Sequence, residues 1–361
     1  MKEILSQKAE RMMKMASDAS RIAITTHIKP DGDAIGSTTG LYHFLKAYGC
    51  RSLKIVLPSM YPDNLAFISA GTPSEDVIVY ENTPDKAIDT IRNCDLVFCL
   101  DFNAFNRTEY LETALEQSPA AKILIDHHLH PDRSKFDEVF SEIEISSASE
   151  VLFHILMNCP GINDDAALLP RECANALYSG MTTDTNNFAN SVFPSTLAMA
   201  SGLLAAGVNR NQILQDLYNS YRENRLRMEG YLLHENMKIT PEGVAYMIVD
   251  KKLASEFDIR EGETEGFVNM PLAIGKVGMS IFLKEDGEGF FRVSVRSKKG
   301  ISANKCAIRY FHGGGHERAS GGRLFFSRTD GVPADINAPG EAESYIVRSV
   351  AEFFKSGEYE S

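Results

Sequence analysis

Four groups of side chains in this 361-residue chain are of the kind that bind hard metal ions, and each stands directly after an apolar run. Arg21-Ile-Ala-Ile-Thr-Thr leads into His27-Ile-Lys-Pro-Asp31-Gly-Asp33, and Leu96-Val-Phe-Cys-Leu leads into Asp101. Ile123-Leu-Ile leads into Asp126-His127-His128, and Ala176-Leu-Tyr-Ser-Gly-Met into Thr182-Thr-Asp184. The set His27, Asp31, Asp33, Asp101, His127 and Asp184 is rich in carboxylate with a minority of imidazole. That donor mixture suits Mn2+ or Mg2+ better than a thiolate-seeking metal. Six ligands suffice for two ions sharing one carboxylate, at the roughly 3.5–4 Å spacing of two-metal hydrolases.

Bringing these groups together requires strands that end on one edge. The aliphatic runs at 21–26, 51–58, 77–80, 96–100 and 122–125 read as buried strands, with helices expected over 1–20, 34–49, 85–92 and 109–116. Alternation of this kind implies right-handed crossovers and a mainly parallel α/β sheet, whose ligands bind at the carboxyl ends of the strands. The 176–181 run is read as a fourth strand end. Pro30 disfavours helical geometry at Lys29 and Gly32 permits a turn, so His27 to Asp33 is expected as a loop in which Asp31 and Asp33 point apart, one for each ion. Ser147 and Glu150 form a capping-box signature, a structural role. Leucines and methionines between Pro194 and Lys238 suggest a helical linker, after which strand signals return at 244–249, 277–283 and 290–296. The charged tail from Lys355 to Ser361 is expected to fray.

His-x3-Asp-x-Asp, the lone Asp101, Asp126-His-His and the later Asp184 together resemble the DHH phosphoesterase family, and Gly313-Gly-Gly-His316-Glu-Arg-Ala-Ser320-Gly resembles its DHHA1 substrate domain. The motifs run in the family's order over nearly the whole chain, and the likeness is greatest to the short bacterial nano-RNase (oligoribonuclease)/pAp phosphatase type. The resemblance implies a mainly parallel-sheet DHH domain over 1–190, a helical linker over 191–240 and a smaller α/β DHHA1 domain over 241–355, with the active site in the interdomain cleft. It implies that His27 and Asp31 hold one divalent cation, that Asp33, His127 and Asp184 hold the other, and that Asp101 bridges them. Mn2+ is the foremost expectation, with Mg2+ or Co2+ as alternatives. Asp126 would orient imidazole, and His128 would act with Asp101 in catalysis. Arg296, Gly314, Gly315, His316 and Ser320 would hold a terminal phosphate, and Phe267 would offer a ring to a base.

The balance of charge narrows the partners. A net charge of −12 argues against coating long duplex nucleic acid. Between Arg292 and Arg323, however, eight cations face one acid, Glu317, which suits a short ligand bearing phosphate. The expected partner is a short oligonucleotide or a nucleotide with a terminal phosphate, not a membrane, and a homodimer is a possible assembly. The six cysteines lack Cys-x2-Cys spacing and read as reduced, mostly buried thiols. The start Met1-Lys-Glu-Ile-Leu-Ser has no secretory apolar core and no run approaches the ~20 apolar residues of a membrane span, so a cytoplasmic protein is expected. The activity expected is hydrolysis of short 5′-phosphorylated oligonucleotides or pAp by two-metal-activated water. Cyclic-dinucleotide or pApA phosphodiesterase and exopolyphosphatase are the rival activities, with pyrophosphatase less suited. A catalytically silent nucleotide-binding module is the rival from another class, and it would show a missing ligand. A dinucleotide-binding oxidoreductase is excluded, because Asp31-Gly-Asp-Ala-Ile-Gly-Ser fails Gly-x-Gly-x-x-Gly.

Overall fold

The computed structural model describes residues 2–287, 289–327 and 332–360, and the chain divides into two compact units, Met1–Ser220 and Tyr221–Ser361. In the first, α1 (Lys2–Asp18) leads to β1 (Ile22–Thr25), α2 (Gly32–Ala47), β2 (Leu53–Leu57), β3 (Val77–Val79), α3 (Pro84–Asn93), β4 (Leu96–Leu100), α4 (Glu112–Gln117), β5 (Ala121–Asp126) and β6 (Glu138–Ser141). Four helices follow: α5 (Ala148–Met157), α6 (Arg171–Asp184), α7 (Pro194–Ala205) and α8 (Arg210–Tyr218). The six strands pair in the order β3-β2-β1-β4-β5-β6, every pair parallel. Strand β4 is buried at all five positions, as a central parallel strand covered on both faces must be. On one face Met12, Phe44, Leu152 and Leu177 pack from α1, α2, α5 and α6; on the other Ile91 and Leu115 pack from α3 and α4.

This topology places the site. Strand order reverses between β1 and β4, so the loops leaving them diverge and open a crevice at their carboxyl ends. Register then sets the level of each side chain. Thr25 pairs with Cys99, so His27 and Asp101 stand two residues beyond the same rung; Leu100 pairs with Ile125, which sets Asp101 level with Asp126.

Two local expectations are corrected. Ala176–Met181 is not a strand but part of α6, and Asp184 is the last residue of that helix. Cys173, Ala176, Leu177, Gly180 and Met181 are buried at helical spacing, a period that a six-residue apolar window does not reveal. Helix α2 begins at Gly32 rather than Ala34, because Asp31 serves as its N-cap and accepts from Asp33 N and Ala34 N at 3.0 and 3.1 Å. Asp33 therefore lies in the first helical turn.

The helices expected as a linker divide between the units. Met199 and Leu203 of α7 and Ile213 and Leu217 of α8 join the first core, whereas Met228 of α9 (Glu223–Tyr231) packs with Phe267 and Phe282 in the second unit. That unit continues through β7 (Lys238–Ile239), β8 (Val244–Val249), α10 (Lys251–Glu256), β9 (Met279–Glu285), β10 (Phe290–Ser297), α11 (Ala303–Tyr310), β11 (Gly314–His316), β12 (Ala319–Phe325) and α12 (Ala342–Ser356). Its sheet runs β11-β12-β10-β9-β8-β7 and is mixed, with β8 and β9 parallel. The described end of the chain does not fray: Tyr359 stacks on Phe354 with ring centroids 4.7 Å apart, and its carbonyl accepts from Ser302 N at 2.8 Å. No described helix is long and apolar enough to cross a membrane. All six cysteines are free thiols, five of them buried.

Helices α2 and α6 touch backbone to backbone. A Cβ on Gly36 would lie 2.7 Å from both the Ala176 carbonyl oxygen and Gly180 Cα. Gly36→Ala should therefore cost about 1–3 kcal/mol, the range for overpacking a filled core. Gly230→Ala, in α9 with nothing within 4 Å of the added carbon, should instead stabilise by roughly 0.5–1 kcal/mol. Urea-unfolding midpoints of the two variants are expected to move in opposite directions.

Candidate metal centre

The candidate ligands converge. Three sets of donor atoms each lie within 4.8 Å of one another: His27, Asp31 and Asp101; Asp101, His127 and His128; and Asp33, His127 and Asp184. Asp101 is common to the first two and His127 to the last two. Nε2 of His27 stands 3.4 Å from Asp101 Oδ2, and Nε2 of His127 stands 3.4 Å from Asp101 Oδ1 and 3.7 Å from Asp184 Oδ2. Asp101 is only 2% exposed, yet its Oδ1 accepts no hydrogen bond. A buried carboxylate oxygen left unbonded costs about 1–3 kcal/mol or more unless something else coordinates it. Hard-oxygen donors with two imidazoles, arranged around such an atom, fit a pair of divalent cations.

The backbone is built to present these groups. Asp101 has φ +62, a left-handed conformation uncommon outside glycine, while its N–H still donates to Ile125 O at 3.0 Å. His27 is oriented by Nδ1, 2.8 Å from the Ile28 carbonyl. Asp126, fully buried at the end of β5, holds His128 through Nδ1 at 2.8 Å. Such a partner fixes the tautomer and plane of an imidazole.

Asp33 is positioned by a device that the sequence did not reveal. Its two carboxylate oxygens accept from Ala148 N at 2.6 Å and Ser149 N at 2.9 Å, the first amides of α5. The helix end is itself held. Ser147 Oγ accepts from Glu150 N at 3.0 Å, as a capping box requires, but the return contact of Glu150 goes to Ser146 N at 3.0 Å instead of the cap's own amide. Glu150 Oε2 also accepts from Ser146 Oγ and from Thr196 Oγ1 of α7, the latter at 2.7 Å. Burial opposes charge on Glu150, but hydrogen bonds from His154, Ser146, Ser195 and Thr196 bring its carboxyl down to about 2. The available signal was an acid inside an otherwise apolar helix, Glu150-Val-Leu-Phe, which a capping role alone does not force into the interior.

Charge confinement and burial perturb His27, Asp33, Asp101, His127 and Asp184. Burial alone would keep His27 and His127 neutral, but contact with Asp101 and the charges of Asp31 and Asp184 outweigh it and raise them to about 9 and about 10. Burial, followed by the charge of Asp101, raises Asp33 to about 7, and burial raises Asp184 well above the carboxylate range. Burial also opposes ionisation of Asp101, yet the two histidines hold it well below that range.

In the second unit, register aligns Arg296 with Ala319 and Ala319 with His316, so the arginine and histidine share one face of the sheet with Gly314. Gly315 pairs with Ser320, and Ser320 with Val295, on the alternate face. Ser320 is 4% exposed and its hydroxyl donates to His316 O at 2.8 Å, so it braces the turn rather than facing a ligand. The need for glycine at 313 is also structural, since a Cβ there would overlap the Gly321 carbonyl. Phe267 departs further from expectation. At 1% exposure it packs edge-on to Phe282 and beneath the Arg225 guanidinium, 4.7 Å from the ring centroid, with no open face for a base. Arg107 is exposed, and its carbonyl accepts from Ile28 N at 2.8 Å.

Fold and ligand set together define an α/β protein with a candidate two-metal centre at a topological switch point. The DHH family N-terminal domain matches residues 21–181 and the DHHA1 domain matches residues 242–325, and the chain belongs to the DHH family of phosphoesterases. A Bacteroides fragilis crystal structure described as an exopolyphosphatase-related protein is 35% identical and covers 96% of each chain, with a TM-score of 0.84. A Streptococcus mutans protein named as a probable bifunctional oligoribonuclease and PAP phosphatase NrnA is 28% identical over 310 residues, 84% of this chain and 89% of its own. RecJ from Thermus thermophilus, solved with Mn2+, is 14% identical over 97% of this chain and 55% of its own and shares the fold, with a TM-score of 0.54.

The electrostatics and the α5 cradle lead to three expected outcomes. His27 and His127, raised above 6.5, contribute stability that is complete below pH 6.5 and lost as pH climbs through about 9 and about 10. Asp33, raised from 3.8 to about 7, acts in the same direction over that lower window. Metal-free protein should therefore melt at lower temperature at about pH 9 than at about pH 6, whereas Mn2+ affinity should rise roughly tenfold per pH unit for each proton released. Titration calorimetry in two buffers of different ionisation enthalpy counts those protons, and pH-independent affinity would contradict the assignment. Glu150→Ala, acting through α5 on Asp33, should weaken Mn2+ binding about 10–100-fold as measured by electron paramagnetic resonance, the range for outer residues that orient ligands.

Proposed function

We propose that this protein is a metal-dependent hydrolase of short 5′-phosphorylated oligonucleotides, of pAp, or of both. The observation that carries the reading is the buried Asp101 carboxylate, shared by two of the three ligand sets, whose Oδ1 accepts no hydrogen bond. The names of relatives that align over most of the chain supply the substrate class. Two divalent cations, with Mn2+ foremost, would lower the pKa of water and neutralise charge on the attacking and leaving oxygens.

The remaining steps belong to side chains of this chain. Asp101 would bridge the ions; His27 and Asp31 would complete one coordination sphere, and Asp33, His127 and Asp184 the other. His128, with Nδ1 fixed on Asp126, would contact the scissile phosphate and protonate the leaving oxygen. Arg296, Gly314, Gly315 and His316 of the second unit would receive the terminal phosphate, Arg296 through its planar two-pronged donor. Ser320 and Phe267 are left out of that role by their burial. Exopolyphosphatase activity is the second reading, favoured by the description of the Bacteroides fragilis structure.

The deciding assay incubates purified protein with Mn2+ and a panel of 5′-phosphorylated RNA dimers to long oligomers, pAp, cyclic dinucleotides, polyphosphate and pyrophosphate. RNA dimers and pAp should be turned over fastest, and excess chelator should abolish activity. Asp101→Ala should lower kcat about a thousandfold or more, given the several kcal/mol that metal stabilisation supplies. His316→Ala should mainly raise KM for substrates with a 5′ phosphate. Equal loss of kcat with unchanged KM in both variants would refute this division.

A further inference from the structure

Asp31 and Asp33 present their oxygens to the candidate centre differently. Oδ1 of Asp31 accepts two amides, Asp33 N at 3.0 Å and Ala34 N at 3.1 Å, so its acceptor capacity is filled and Oδ2 is the atom left for a cation. Asp33 shows no such asymmetry. Its Oδ2 accepts from Ala148 N at 2.6 Å and its Oδ1 from Ser149 N at 2.9 Å, one amide each. The amides alone therefore leave open whether Asp33 offers a cation one oxygen or both.

The side chain of Ser149 supplies the missing asymmetry. Ser149 is fully buried in the first turn of α5, and its hydroxyl finds no aligned hydrogen-bond partner among the described residues. Buried hydroxyls nearby are satisfied one turn back in their own helices: Ser37 donates to Asp33 O at 2.8 Å, Thr38 to Ala34 O at 2.8 Å and Thr182 to Tyr178 O at 2.7 Å. One turn back from Ser149 lies Ile145, which precedes α5, so no helical carbonyl is available there. What the hydroxyl does adjoin is Asp33. A Cβ built on Gly180 of α6 would overlap Ser149 Oγ and lie 3.0 Å from Asp33 Oδ1, so hydroxyl and oxygen share the space against that bare glycine. Burial raises the Asp33 carboxyl to about 7, and the Ser149 side chain works against the rise, as a donor beside the charged form does.

We propose that Ser149 is a positioning residue that makes Asp33 a one-oxygen ligand: its hydroxyl turns onto Oδ1, fills the acceptor site remaining there, and leaves Oδ2 to the cation held with His127 and Asp184. The inference rests on the two-cation reading of the centre and adds a determinant of which ion is held. Mg2+ and Mn2+ favour octahedral sites, whereas Ca2+ takes about six to eight oxygens and accepts both oxygens of one carboxylate. A carboxylate restricted to one oxygen therefore disfavours Ca2+.

The test loads the protein with Mn2+ and displaces it with Ca2+, reading free Mn2+ by electron paramagnetic resonance. In the unaltered protein Ca2+ should bind more weakly than Mn2+, and equal affinities overturn the proposal without any variant. Ser149→Ala should raise the ratio of Ca2+ to Mn2+ affinity roughly tenfold, the lower end of what partners of ligating groups are worth. An unchanged ratio overturns the proposal. Glu150→Ala, which loosens the start of α5 as a whole, should weaken both ions and leave the ratio where it was; a shift equal to that of Ser149→Ala would assign the effect to helix displacement and overturn the proposal. Because the hydroxyl is unbonded in this structure, its removal should not lower the melting temperature of metal-free protein, and a lower one would make Ser149 a structural residue instead. Unaltered protein that binds no Mn2+ would bring down the metal reading of the centre, a failure that the affinity ratio keeps separate from that of this inference.

Discussion

Four carboxylates, Asp31, Asp33, Asp101 and Asp184, are confined around one largely buried centre, and their mutual repulsion is the constraint that the first unit is built to withstand. Without a metal, part of the balance comes from protons: two histidines are held charged against Asp101, and Asp33 is held near its midpoint at neutral pH. Part comes from oriented amides, two of which meet Asp33 at the start of α5. A helix N-terminus carries partial positive charge, so it offsets the acid without bringing in another titrating group. Divalent cations would take over the protons' share, which makes protein and metal complementary in charge as well as geometry.

The rest of the architecture fixes where that charge is gathered. Parallel strands on either side of a reversal in order deliver His27 and Asp101 from adjacent strand ends, at matched register. Helices α2 and α6 then bring Asp31 and Asp33 towards Asp184, and they can do so only because Gly36 lets their backbones meet. Packing of small residues one helical turn from Asp33 thus sets distances within the centre. The buried Glu150, bonded to Thr196, extends the same dependence to α7.

Most of this was legible in the chain. Short aliphatic runs reveal parallel strands because both faces are buried, and β4 appears at the residues its pattern announces. Candidate ligands can be read because carboxylate and imidazole immediately after such runs have few structural uses. What escaped depends on partners distant in sequence. The contact of Asp33 with Ser149 spans 116 residues, and nothing local to Ser146-Ser-Ala-Ser-Glu150 distinguishes a helix cap from a cradle for an acid elsewhere. Phe267 looked available for stacking until Arg225 and Phe282 were seen to occupy its ring. The helical nature of 176–181 was hidden because a run of six apolar and small residues satisfies either period.

The left-handed backbone of Asp101 also limits how this centre can decay. Asparagine adopts that conformation readily and nearly matches the shape of aspartate, whereas β-branched and bulky residues are strained there. Asparagine would bring no charge to the bridging role proposed for Asp101. On that proposal, the shortest path to a folded but inactive copy is a change of one side-chain oxygen to nitrogen at this residue, with the sheet and both cores undisturbed.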